Sequence, residues 1–131
     1  MNFKGLNNLS PDASILITGA GGGLGKATIS NLKARGHLKI LTPTRQELDL
    51  LNAGAVMKYF SHHKPRVVLH FAAIVFGLQG NIDNQILSLS ENTRIQDNLF
   101  FAINLYPVDY VFFAGSVASY PYPYKSIPLS E

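Results

Sequence analysis

A glycine-rich turn between two apolar segments constrains the fold of this chain more than any other feature. Residues 15–18 form a short apolar run, and an amphipathic segment predicts a helix over Leu24–Arg35 that ends at Gly36. Three glycines at a spacing of three residues lie at this junction: Gly19, Gly22 and Gly25. A strand, turn and helix of this kind direct backbone N–H groups and the positive end of a helix dipole at one point, which suits a pyrophosphate. The alternative is a turn that only connects two elements.

The composition limits the chain to a few classes of protein. With 131 residues, we expect one domain over 1–131 and no second core. No cysteine is present, which excludes disulfides and thiolate metal sites, and no apolar run reaches the length of a membrane span. The net charge of +3 is spread along the chain, so we expect no nucleic-acid binding and no membrane partner. We expect a cytoplasmic protein.

Apolar strands alternate with amphipathic helices along the chain. The predicted strands are Ser14–Thr18, His37–Leu41, Arg66–Phe71 and Asp109–Ala114. The predicted later helices are Ala53–Ser61 and Ile86–Leu105, with a loop at Gly77–Gln85 and an irregular tail at Tyr120–Pro128. This alternation predicts an α/β, Rossmann-like, NAD(P)-binding fold of three layers, α/β/α, with a parallel sheet in the order 3-2-1-4. A ligand would then lie at the carboxyl ends of the strands, beside strand one.

The residues at these strand ends are the candidate cofactor contacts. The glycine turn contributes Gly19, Ala20, Gly21, Gly22, Gly23, Leu24 and Gly25. Small residues lie at the ends of the third and fourth strands, where a cofactor must approach the backbone: Ala72, Ala73, Ala114 and Gly115. Simple sheet packing is the alternative explanation for the small residues.

The end of the second strand bears on the choice between NAD and NADP. A carboxylate there would bind the ribose 2′-hydroxyl of NAD, but none precedes Glu47. Arg45, flanked by Thr42 and Thr44, is suited to a 2′-phosphate, which favours NADP while leaving NAD possible. A solvated arginine, or one paired with Glu47, is the alternative.

Two further polar residues lie at or just after the ends of strands. His70 is interpreted as a hydrogen-bonded histidine of the core or of the cofactor side rather than a catalyst. Ser116 would present a hydroxyl that can hydrogen-bond a substrate carbonyl, although a Gly-Ser pair after a strand is as often a plain turn. No cluster of histidine and carboxylate side chains predicts a metal site.

Taken together, these segments resemble the NAD(P)-dependent epimerase/dehydratase family of extended short-chain dehydrogenases/reductases. The resemblance spans the glycine turn, residues 44–50, residues 68–73 and Gly115-Ser116 with Tyr120-Pro121. The 44–50 segment is most similar to the NADP-binding segment of the GDP-L-fucose synthase subfamily. The resemblance implies contacts of Arg45 with the 2′-phosphate and of Asp49 and Leu50 with adenine, and Ser116 as the catalytic serine. It implies hydride transfer to a 4-keto-6-deoxy sugar nucleotide, with a nucleotide-sugar 4-epimerase or dTDP-sugar reductase also open.

Two departures from the family pattern limit the expected activity. Ala118 stands where fucose synthases have an acid/base cysteine, which puts epimerisation in doubt. The resemblance also implies a tyrosine followed four residues later by a lysine, which lowers the pKa of the tyrosine so that it can transfer a proton. No tyrosine in this chain precedes a lysine by four residues, and Pro121 stands at that offset from Lys125. We therefore expect the N-terminal part of a longer enzyme, truncated before the later strands and inactive alone. A non-catalytic dinucleotide-binding or regulatory module is the alternative. An exposed sheet edge would favour self-association.

Overall fold

Four parallel strands form one sheet in the computed structural model, which describes residues 9–116. In chain order the strands are β1 (Ile15–Thr18), β2 (Ile40–Leu41), β3 (Val67–His70) and β4 (Tyr110–Phe113). The helices are α1 (Gly23–Ala34), α2 (Ala53–His63), α3 (Gly77–Asp83) and α4 (Gln85–Leu105). The predicted tail at Tyr120–Pro128 lies outside the described residues.

The sheet has the order β2-β1-β3-β4, so the predicted order 3-2-1-4 is wrong in the position of the third strand. All four residues of β3 pair with β1, on the side opposite to β2. The reason is that α2 lies on the face of the sheet opposite α1: Val56 and Phe60 of α2 pack with Leu16 of β1, whereas Leu32 of α1 packs with Ile15. A right-handed connection through a helix on that opposite face returns the chain past β1 to its other side. The predicted order followed from right-handed crossovers, and the sequence does not show which face of the sheet α2 covers.

Alternating side chains of β1 and β3 form a core on each face of the sheet. Ile15, Ile17, Val67 and Leu69 pack with Leu32 of α1. Leu16 and Val68 point to the other face and pack with α2 and α4. The helices therefore lie in two layers around a parallel sheet, which confirms the predicted Rossmann-like α/β/α fold.

Two element boundaries differ from the predictions for local reasons. The second strand begins at Ile40 rather than His37, because the N–H of His37 bonds to Leu32 and the N–H of Leu38 bonds to Pro11. The predicted loop at Gly77–Gln85 contains α3, a short surface helix. It buries no residue, so no apolar periodicity marks it in the sequence.

Candidate functional site

The glycine turn after β1 is shaped by two close backbone approaches. Gly19 has φ of +71°, and a Cβ there would lie 2.7 Å from the Ala72 nitrogen. A Cβ on Gly25 would lie 2.5 Å from the Gly19 carbonyl oxygen, so neither position admits a side chain without movement. Gly22 caps α1, whose first turn contains no acidic residue to offset its N–H groups. The turn thus presents bare backbone at the positive end of a helix.

A cavity of about 540 Å³ opens at the carboxyl end of β1. Three chain segments surround it: the glycine turn, residues 42–51 and the segment after β3. The predicted cofactor contacts that line it are Gly19, Ala20, Gly21, Arg45, Asp49, Leu50, Ala72 and Ala73. The other lining residues are Thr18, Ile29, Thr42, Pro43, Thr44, Leu48, Leu51, Ile74 and Ile95.

Four predicted contacts of the glycine turn do not line this cavity. Gly22 and Gly23 are exposed at the start of α1, and Gly25 is buried against the turn. Leu24 is 57% exposed, although the helical pattern predicts that it packs on the same face as Leu32. Gly25 therefore acts through close packing of the helix on the turn.

Residues 44–47 form a reciprocal hydrogen-bonded turn beside the cavity. The N–H and hydroxyl of Thr44 donate to the Glu47 carboxylate over 2.8 and 2.9 Å. The backbone hydrogen bond, and then the hydroxyl, lower the pKa of Glu47. Within residues 9–116 the one ion pair joins Arg66 and Asp109, so Glu47 does not pair with Arg45. Arg45 is exposed and lines the cavity wall.

Asp49 and Leu50 form the wall that follows this turn. The Asp49 carboxylate accepts a hydrogen bond of 3.1 Å from the N–H of Leu51, which holds the turn locally. Leu50 is buried, and its carbonyl accepts a hydrogen bond of 2.8 Å from the amide of Asn98 on α4. The apolar Leu50 and the adjacent carboxylate give this end of the cavity a mixed surface.

A polar link joins the ends of β1 and β3 beneath the cavity. The Thr18 hydroxyl and Nδ1 of His70 share a hydrogen bond of 2.7 Å, and both side chains are buried. The same hydroxyl accepts from the N–H of Ala72 over 3.3 Å. Burial lowers the pKa of His70, which favours the neutral ring. His70 is thus a hydrogen-bonded core histidine, as predicted.

A second cavity of about 380 Å³ adjoins the first. It contains the remaining predicted residues, Ala114, Gly115 and Ser116, together with His70 and Phe113. Ala72, Ala73 and Ile95 line both cavities. The fold therefore brings the candidate catalytic serine next to the candidate cofactor site.

Two asparagines of α4 that were not predicted from the sequence support the cavity walls, Asn92 and Asn98. Polar residues on a helix carry no pattern that distinguishes a buried clamp from a solvated side chain. Ala118, Lys125 and the Tyr120-Pro121 pair lie outside the described residues. Within 9–116 no cluster of metal-ligating side chains is present. Over that same range, no helix is long and apolar enough to cross a bilayer.

The chain is similar to a known protein family and to several of its characterised members. The model of the NAD dependent epimerase/dehydratase family matches residues 15–131. GDP-L-colitose synthase of Yersinia pseudotuberculosis is 37% identical over 107 residues, covering 82% of this chain and 34% of that protein. GDP-L-fucose synthase of Azorhizobium caulinodans is 39% identical over 85 residues, covering 65% of this chain and 27% of that protein.

One solved structure has the same fold as this chain and was determined with a cofactor of its own. GDP-mannoheptose C4 reductase of Campylobacter jejuni, crystallised with NADP bound, superposes with a TM-score of 0.85 at 34% identity. The match covers 93% of this chain and 36% of that one. The chain thus spans about a third of the length of its relatives.

Proposed function

Because the chain belongs to the NAD dependent epimerase/dehydratase family, we propose that it binds NADP at the end of β1. In this proposal it is the cofactor-binding part of a nucleotide-sugar reductase or epimerase. The observation that carries the proposal is the pair of adjoining cavities, which share Ala72, Ala73 and Ile95. One has the bare glycine turn that a pyrophosphate requires, and the other contains Ser116.

Different residues of the first cavity bind different parts of NADP. The N–H groups of the glycine turn bind the pyrophosphate, and a Cβ at Gly19 or Gly25 would disrupt that turn. Arg45 binds the 2′-phosphate, since the Thr44–Glu47 turn keeps the carboxylate occupied. Asp49 and Leu50 flank the adenine. The small residues Ala72 and Ala73 allow the nicotinamide end to lie close to the backbone.

Ser116 acts in the second cavity, beside the small residues Ala114 and Gly115. When bound, NADPH supplies a hydride to the carbonyl carbon of the substrate. The Ser116 hydroxyl donates a hydrogen bond to the carbonyl oxygen and stabilises the negative charge that develops there. The substrate we propose is a 4-keto-6-deoxyhexose, which the family resemblance implies, linked to GDP, because the three relatives described above are named for GDP-sugars.

We further propose that residues 1–131 alone do not turn over. No tyrosine in the chain lies four residues before a lysine, so the usual proton donor of the family is missing from it. The same observation favours a second candidate function, a non-catalytic dinucleotide-binding or regulatory module. Both candidates bind the cofactor, and they differ in whether the full natural protein reduces a substrate.

Self-association through the open edge of the sheet is also proposed. Within the described residues β4 pairs only with β3, and Phe112 and Phe113 are exposed beside this edge. An unpaired strand with apolar side chains is a template for pairing with a second copy.

The proposed function is tested by two measurements on this chain. Quenching or enhancement of NADPH fluorescence reports binding, and the absorbance of NADPH reports oxidation in the presence of a GDP-linked 4-keto-6-deoxyhexose. We expect binding without oxidation. Oxidation would contradict the proposed inactivity, and the absence of binding would contradict the cofactor site. The same assay on the full natural protein separates the reductase from the non-catalytic module.

A further inference from the structure

Asn92 of α4 holds the segment after β3 through both backbone groups of one residue. The N–H of Ile74 donates to Oδ1 of Asn92 over 2.8 Å. The Nδ2 group of Asn92 donates back to the Ile74 carbonyl over 2.9 Å, and to the Ser88 carbonyl over 2.9 Å. Ile74 lies in neither a strand nor a helix, so the amide of Asn92 replaces the partner that a sheet would provide.

Asn98 holds a different segment of the wall of the first cavity. Its Nδ2 group donates to the Leu50 carbonyl over 2.8 Å, in a segment that also belongs to no strand or helix. Ile95 lies between the two asparagines in sequence, is buried, and lines both cavities. Residues 92, 95 and 98 are three apart, which keeps them along one side of α4.

We propose that Asn92 and Asn98 are positioning residues that fix the two ends of the cofactor site on a single helix. Asn98 fixes the adenine end through Leu50, and Asn92 fixes the nicotinamide end through Ile74 and the adjoining Ala72 and Ala73. The proposal rests on the proposed cofactor function. This inference goes beyond that function because each asparagine acts through a backbone group of another residue, although Asn92 also lines the second cavity.

The test uses a ligand that occupies only one end of the site. NADPH spans both ends, whereas 2′,5′-ADP represents the adenosine half alone. The variants are Asn92→Ala, Asn98→Ala and, as the matched control, Asn104→Ala at an exposed position of α4. Asn92→Asp is added because it retains an acceptor for the Ile74 N–H but replaces the Nδ2 donor with a charged acceptor that repels the Ile74 and Ser88 carbonyls.

Calorimetric titration of each variant gives the expected pattern. Asn98→Ala weakens the binding of both ligands by about tenfold, while Asn92→Ala weakens NADPH by about tenfold and leaves 2′,5′-ADP within about twofold. Asn92→Asp shows the same split, and Asn104→Ala binds both ligands as the wild type does. Wild-type affinities in both asparagine variants would overturn the proposal, as would equal losses of the two ligands in Asn92→Ala.

A measurement without ligand separates this proposal from the proposed function. We expect the backbone amide of Ile74 to exchange with solvent slowly in the wild type and in Asn104→Ala, and at least about tenfold faster in Asn92→Ala. Fast exchange of the Ile74 amide in the wild type would show that the hydrogen bonds between Asn92 and Ile74 do not hold this segment, which would overturn the proposal. Slow exchange in a wild-type chain that binds neither ligand would overturn the cofactor function and, with it, the positioning role. Ligand binding that the variants leave unchanged would overturn the positioning role alone.

Discussion

The hydroxyl of Thr18 and Nδ1 of His70 share a buried hydrogen bond of 2.7 Å between the last residues of β1 and β3. These two strands are neighbours although they are not consecutive, and the candidate cofactor cavity opens where the chain leaves them. The bond lies directly beneath that cavity, because Thr18 also accepts from the N–H of Ala72 at its wall. The stability of the sheet and the shape of the site therefore depend on the same polar link.

Replacing Thr18 with valine should destabilise the fold. Thr18→Val keeps the shape of the side chain but leaves the N–H of Ala72 and Nδ1 of His70 without this partner. We expect the free energy of unfolding in urea to fall by about 1–3 kcal/mol. Thr28→Val, at a half-buried position of α1, is the control and should change it by less than about 0.5 kcal/mol. An equal effect of the two variants would show that the link contributes nothing.

The buried ring of His70 should make stability depend on pH. Burial lowers its pKa in the folded state, so below the ordinary histidine pKa of about 6.5 the unfolded chain takes up the proton first. The contribution of His70 is complete above that pH and is lost as pH falls toward its folded pKa. We expect the stability of His70→Gln to depend less on pH between about 7 and 5 than that of the wild type. His62→Gln, at the exposed end of α2, is the control. Parallel pH profiles for His70→Gln and the wild type would contradict this account.

Two glycines of the same turn should respond oppositely to alanine. Gly19→Ala places a Cβ 2.7 Å from the backbone of Ala72 and forces a left-handed φ on alanine, so we expect a loss of at least about 2 kcal/mol and of NADPH binding. Gly23→Ala meets open space in the first turn of α1 and should raise stability by up to about 1 kcal/mol. Thermal unfolding measures both effects. Equal stability of the two variants would contradict the close approach of Gly19 to Ala72.

A charge at the open edge of the sheet should prevent self-association. We expect sedimentation of the wild type to depend on concentration, and Phe112→Lys beside β4 to sediment as a monomer. Phe101→Lys, at an exposed position on α4, is the control and should associate as the wild type does. Dissociation by Phe101→Lys alone would assign the contact to the helix instead. A wild-type chain that stays monomeric at high concentration would contradict the proposed self-association.

The sequence predicted the local units of this fold better than their arrangement. The glycine turn and the apolar runs of β1 and β3 are visible because close backbone approach and burial restrict which residues are allowed. The strand order was not predictable from them, because it depends on which face of the sheet α2 covers.

In the candidate site, too, the local features were predictable from the sequence and the long-range contacts were not. Residues such as Arg45 and Ala72 were found because they follow strands directly. Asn92 and Asn98 were missed, since a helix shows its apolar stripe in the sequence but not which polar side chain reaches a distant carbonyl. Long-range hydrogen bonds of this kind become visible only in the folded chain.

We propose that Arg45 selects NADP over NAD in the cavity at the end of β1. Calorimetric titration of the wild type with NADPH and NADH tests it most directly, with Arg45→Ala and, as control, Arg94→Ala at an exposed position of α4. A charged hydrogen bond to the 2′-phosphate predicts roughly tenfold to hundredfold tighter binding of NADPH than NADH. Arg45→Ala should abolish that preference and Arg94→Ala should retain it. Equal affinities of the wild type for the two cofactors, or no binding of either at millimolar concentration, would contradict the account.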